Sequence, residues 1–119
     1  MRWHVEFAAA AERDFALIHD HLTESYVSFG DSPAEALARA GQRVLAILGG
    51  SQRIAVAPHR GNRHDEMLPG LRQLTLGKAS FWFITDDAAG RIRVLAVFFG
   101  AQDQQRRMLI RLLERPHGH

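Results

Sequence analysis

The chain has 119 residues and no cysteine, with 46% hydrophobic and 24% charged residues and 15 basic against 13 acidic side chains. That length suits one domain, residues 1–119, with a modest core, and the composition excludes a disordered polar chain. Disulfides and thiolate metal sites are excluded too, and no apolar run approaches the roughly 20 residues of a membrane-spanning helix. The stretch from Met1 to Phe7 lacks the basic flank and apolar run of a secretory signal, so a cytoplasmic protein with no membrane partner is expected.

Between Arg2 and Phe7, Trp3, Val5 and Phe7 alternate with Arg2, His4 and Glu6, the period-two pattern of a half-buried strand. From Ala8 the period changes. Phe15, Ile18, Leu22, Tyr26 and Phe29 recur at helical steps, and Gly30 is placed to end that helix. Ser32-Pro33-Ala34-Glu35 then has the hydroxyl cap, early proline and third-position glutamate of a helix start. Leu37, Gly41, Val44, Leu45 and Leu48 form the expected apolar stripe of this second helix, with Gly49-Gly50 closing it. Two such helices joined by a short link predict an antiparallel hairpin.

Residues 51–69 read as irregular, broken by Pro58, Gly61, Asn62 and Pro69. Strands are predicted at 71–76, 79–85 and 91–99, and the short Gly77-Lys78 and Asp86–Gly90 turns make them an antiparallel meander. A last helix is expected over 102–114, with Met108, Leu109, Leu112 and Leu113 opposite Arg106, Arg107, Arg111 and Arg115. The whole is an α+β fold: N-terminal strand, antiparallel helical hairpin, three-stranded antiparallel meander and C-terminal helix.

Residues that could carry chemistry are few. His59, His64, Asp65 and Glu66 are the densest titratable set, but two histidines four apart on one helix face are absent, so no metal is expected. Nothing around Ser51, Ser80 or Thr85 resembles an activating turn for a nucleophile, and no glycine loop opens a helix to cradle phosphate, so no cofactor is expected either. The last two strands are apolar on both faces. Trp82 and Ile84 share one and Phe81 and Phe83 the other, while alternation groups Leu95, Val97 and Phe99 against Val94, Ala96 and Phe98. The hairpin covers one face; the last helix and a partner are expected to cover the second.

The tract from Gly61 to Asp103 brings these features into one order. It runs Asp65-Glu66, Leu68-Pro69-Gly70-Leu71-Arg72, Gly77, the aromatic strand Phe81 to Ile84, the Asp86 to Gly90 turn, and Val94-Leu95 to the hinge Gly100-Ala101-Gln102-Asp103. With the helical hairpin before it, this tract resembles the ParE and RelE superfamily of small bacterial toxins, which includes plasmid stabilisation proteins. The resemblance implies the toxin half of a type II toxin–antitoxin module, neutralised by a cognate antitoxin whose toxin-binding tail is acidic.

Two branches of that superfamily differ in action. The ribonuclease branch uses basic, tyrosine and histidine side chains on ribosomal or free mRNA, often with a histidine before the hinge glycine and an arginine two residues after it. This chain has Phe99 and Gln102 there, and phenylalanines at 81 and 83 where tyrosines are common. A phenylalanine can stack on a base but cannot move a proton. The departure implies the ParE-like branch, whose members with assigned targets bind DNA gyrase without a cofactor. An RNA endonuclease, or a degenerate member that only binds antitoxin, are the alternatives. Arg60, Arg63 and Arg72 are the candidates for toxicity, Arg72 having the equal alternative of tying its loop to a carboxylate. Trp82, Ile84, Phe99, Leu109 and Leu112 are the candidates for antitoxin binding.

Overall fold

A computed structural model describes residues 2–100 and 103–114. In chain order it contains β1 (His4–Phe7), α1 (Ala9–Ser28), α2 (Pro33–Gly50), α3 (Gln52–Val56), β2 (Asn62–Arg63), β3 (Arg72–Leu76), β4 (Ala79–Asp86), β5 (Arg91–Phe99) and α4 (Gln104–Leu113). The sheet order is β1-β5-β4-β3-β2, with β1 parallel to β5 and the other pairs antiparallel. The α+β architecture expected from the sequence is present. The expected start of the last helix at Gln102, and Arg115 with the tail beyond it, lie outside the described residues.

Local chemistry accounts for the boundaries. Ser32 Oγ accepts from Glu35 N at 3.2 Å while Glu35 Oε1 accepts from Ser32 N at 3.0 Å, so two otherwise unpaired donors at the start of α2 are satisfied. The Ser32 amide that donates to it, and then the Ser32 side chain, hold the Glu35 carboxyl below its ordinary range. Gly30 follows α1 at φ +111°, a conformation costly for any residue with a Cβ. The residues between α2 and β3 are more ordered than composition suggested: α3 and the two-residue β2 lie within the stretch read as irregular. Both elements are too short for a periodic pattern to emerge.

Helix faces and strand faces also differ from the one-dimensional pattern. On α2 the buried residues are Ala36, Ala40 and Ile47, whereas Leu37, Leu45 and Leu48 face outward, Leu45 at 67% exposure. Small side chains let α1 and α2 approach closely, and this rotates the leucines away from the core. On α1, Ala11, Ile18 and Leu22 are buried, but Phe29 lies past the helix end and is 87% exposed.

In β5 the strict alternation breaks. Trp82 pairs with Ala96 but Phe83 pairs with Val94, which leaves Leu95 as the extra residue of a β-bulge. Leu95 therefore joins Ala96 and Phe98 on one face, while Val94, Val97 and Phe99 pack on the other.

Two apolar clusters result. The larger lies between the sheet and the hairpin and contains Phe81, Phe83, Ile92, Val94 and Val97 with Ile18, Leu22 and Ile47. The smaller lies on the opposite face, where Met108 of α4 and Leu71, with Met67, Leu68 and Leu112 at its margin, cover Trp82, Leu95, Ala96 and Phe98. The second face is thus closed by the chain's own α4 and the 64–71 loop.

Candidate functional site

Of the three candidate arginines, Arg63 and Arg72 face each other at the β2–β3 edge of the sheet and Arg60 precedes β2, and each hydrogen-bonds within the chain. Arg63 of β2 and Arg72 of β3 are cross-strand partners. Arg63 holds Asp65 through two bonds, Nε at 2.8 Å and Nη2 at 3.1 Å, and Asp65 also accepts from Gly70 N at 2.8 Å. That arginine, then the Gly70 amide, hold the Asp65 carboxyl below its usual range. Arg60 donates to the Arg53 carbonyl at 3.0 Å. Arg72 donates to the His59 carbonyl at 2.7 Å, so it fastens the loop through a backbone oxygen and not through the expected carboxylate.

Of the four clustered titratable residues of this loop, His64 and Glu66 stay together, with His64 Nδ1 3.4 Å from Glu66 Oε1, while His59 and Asp65 take other partners. His59 lies edge-on to Trp3 and sits 3.1 and 3.2 Å from the two Asp87 oxygens, a contact that lowers the Asp87 pKa. His64 turns inward, tilted over Trp82 with ring centroids 4.8 Å apart, and its Nε2 lies 3.0 Å from Gln73 Oε1. Gln73 Nε2 donates to Gln104 Oε1 at 3.0 Å, which also accepts from Trp82 Nε1 at 3.2 Å. Buried polar groups need such partners, and here they join the loop, two strands and the start of α4. Among the described residues no three His, Cys, Asp or Glu side chains converge as a metal site would require.

The five apolar candidates do not share one surface. Trp82 is fully buried, Ile84 and Leu112 border the same cluster, and Leu109 is exposed on α4. Phe99 packs on the hairpin side. The exposed apolar face of α4 consists of Leu109, Ile110 and Leu113.

A further contact was absent from the sequence reading. β1 pairs with β5 only as far as Val94, which leaves the next part of that strand edge unpaired by β1. Asp14 Oδ2 accepts from Val97 N at 2.9 Å, and Arg111 Nη1 donates to the Leu95 carbonyl at 3.0 Å. The two side chains then bind each other at 2.7 and 3.0 Å. Arg111 is therefore not on a purely solvated face. Together the pair occupies backbone groups that a neighbouring strand would otherwise take. Its signal was a carboxylate within the buried series Ala11, Asp14, Ile18 and Leu22.

This architecture matches solved structures over most of its length. A chain of the chromosomal ParDE TA system from P. aeruginosa superposes with a TM-score of 0.62 at 20% identity, over 84% of this chain and 98% of that one. The chain has the RelE/ParE fold. The RelBE2 toxin–antitoxin complex from Mycobacterium tuberculosis gives a TM-score of 0.55 at 16% identity, over 83% of this chain and 99% of the matched one. No protein family matches the sequence, and no curated protein does. Within this RelE/ParE fold Arg60 precedes β2, Arg63 ends it and Arg72 begins β3, and no helix among the described residues is long and apolar enough to cross a membrane.

Proposed function

We propose that this chain is a one-domain cytoplasmic toxin of a type II toxin–antitoxin module, neutralised by a small cognate antitoxin. The observation that carries the reading is the superposition, over more than four-fifths of the chain, on chains from a ParDE system and a RelBE2 complex. Its action is inhibition by binding to a nucleic-acid-handling target such as DNA gyrase, with no cofactor.

Side-chain chemistry supports binding over cleavage. Metal-independent RNA cleavage needs a base, an acid and free cations near the scissile phosphate. Phe81 and Phe83 cannot titrate and are buried beneath the hairpin, while Arg60, Arg63 and Arg72 are each engaged within the chain. The antitoxin contact is assigned to the outer face of α4, where Leu109, Ile110 and Leu113 are exposed next to Arg106. An acidic amphipathic segment would match that mixture.

Induced expression of the chain alone in a bacterial host tests the reading. The expected result is growth arrest with a DNA-damage response and intact mRNA. Arrest with cut transcripts would replace binding by the ribonuclease mechanism, and normal growth at confirmed full-length expression would reject the toxin assignment.

A further inference from the structure

We propose that His64 is a proton-operated latch on the 64–71 loop: a ring protonated on both nitrogens ties the loop to Glu66 and Gln73 together, and loss of the Nδ1 proton releases Glu66. His64 is only 7% exposed, and binding to a target makes no use of it. The proposal does not depend on the toxin reading.

A chain of hydrogen bonds fixes which ring nitrogen always carries a hydrogen. An indole N–H can only donate, so the Gln104 atom facing Trp82 Nε1 is the amide oxygen, and the Gln104 amide nitrogen donates to the Gly100 carbonyl. The same Gln104 oxygen accepts from Gln73 Nε2, which turns Gln73 Oε1 toward His64. An amide oxygen only accepts, so His64 Nε2 must hold a hydrogen in either ionisation state. Nδ1 is left with a lone pair in the neutral ring and with a second hydrogen in the imidazolium.

With Glu66 Oε1 3.4 Å away, a protonated Nδ1 attracts the carboxylate, whereas a lone pair repels it. Glu66 can respond because its side chain is 70% exposed, while the ring is held against Trp82. No other carboxylate of a described residue lies within ion-pair distance of this ring. Its chain neighbours Arg63 and Asp65 bind each other, and Arg72, beside Gln73, donates to the His59 carbonyl. β3 and β4 present the neutral Gln73 and Trp82, and Gln104 of α4, joined to them, is neutral too. His64 also stands at the root of the loop: its carbonyl accepts from Met67 N and Leu68 N, and its amide donates to the Leu71 carbonyl. Those three residues cover the Trp82 face. Glu66 lines the cleft that contains Asp103, Arg106 and Leu109, so opening the latch frees a negative charge in that cleft and loosens the cover over Trp82.

Amide exchange of the full chain, corrected for intrinsic rate and compared at about pH 5.5 and about pH 8, tests the latch across the range where imidazoles titrate. Relative to the β4–β5 amides, those of Met67, Leu68 and Leu71 should be protected roughly three- to tenfold more at the lower pH. Glu66→Gln, at an exposed position, should remove the difference, because a carboxamide can accept from the protonated ring and donate to the neutral one. His64→Gln, whose amide can keep the bond to Gln73, should remove it as well. His59→Gln should leave it intact, and ring nitrogen NMR at about pH 8 should show the His64 hydrogen on Nε2. Equal protection at both pH values, an undiminished difference in Glu66→Gln, its loss in His59→Gln, or a hydrogen on Nδ1 at the higher pH would overturn the proposal.

Discussion

Asp14 and Arg111 are 97 positions apart and have the most demanding environment of any charged pair described, with Asp14 only 3% exposed. Removing one member strands the other beside backbone groups that have lost their partners. Asp14→Ala should lower unfolding free energy by roughly 3 kcal/mol in urea titration, and Asp14→Asn by less, since its amide oxygen can still accept from Val97 N. A cycle with Arg111→Ala should be strongly non-additive. Gly61 is constrained differently: its φ is +96°, and a Cβ there would lie 2.5 Å from the Gln73 carbonyl oxygen. Gly61→Ala should cost about 1–3 kcal/mol by the same assay. The loop carboxylates set a pH response. Asp65 and Asp87 both have folded pKa values below the unfolded value, so their contribution is full above about pH 4 and disappears as pH falls through the folded values. Amide exchange, corrected for its intrinsic pH dependence, should show residues 59–70 losing protection below that point before the β4–β5 pair does.

At the scale of elements, α4 is held by few groups. Met108 fills the second cluster, Gln104 accepts from Trp82 and Gln73, and Arg111 reaches the edge of β5, while Arg107 lies over the Phe98 ring at 4.2 Å. Met108→Ala should destabilise the protein by about 2–5 kcal/mol, and a red shift in tryptophan emission would report water reaching Trp82. Unchanged emission would mean that the helix repacks over the indole. The bulge at Leu95 was hidden in the sequence because Val94 to Phe99 is apolar at every position, so alternation carries no register there. The rotation of α2 escaped for a similar reason. Alanines and leucines both appear on its apolar side, and only contact with α1 selects the smaller residues for burial.

For the molecule as a whole, the order of elements places a helical hairpin on one sheet face and α4 on the other, with Arg63 and Arg72 paired at the β2–β3 edge. If α4 is the antitoxin contact, Leu109→Asp should abolish co-purification with the antitoxin without lowering the melting temperature; retained binding would move the contact elsewhere. Much of this organisation was legible in one dimension. Ser32-Pro33-Ala34-Glu35 specifies a helix start through bonds made within one turn, the meander strands are separated by turns with glycine at positive φ, and the Gly61–Asp103 tract suggested the fold that superposition supports. These features are local or depend on order, so they survive as patterns in a linear chain. The reach of Arg72 to the His59 carbonyl, the burial of Trp82 and the Asp14–Arg111 clamp instead required the strands to pair and both helical layers to dock. Hydrogen-bond geometry and exclusion of water depend on distances between segments remote in the chain, and those distances exist only after the chain has closed around its two apolar faces.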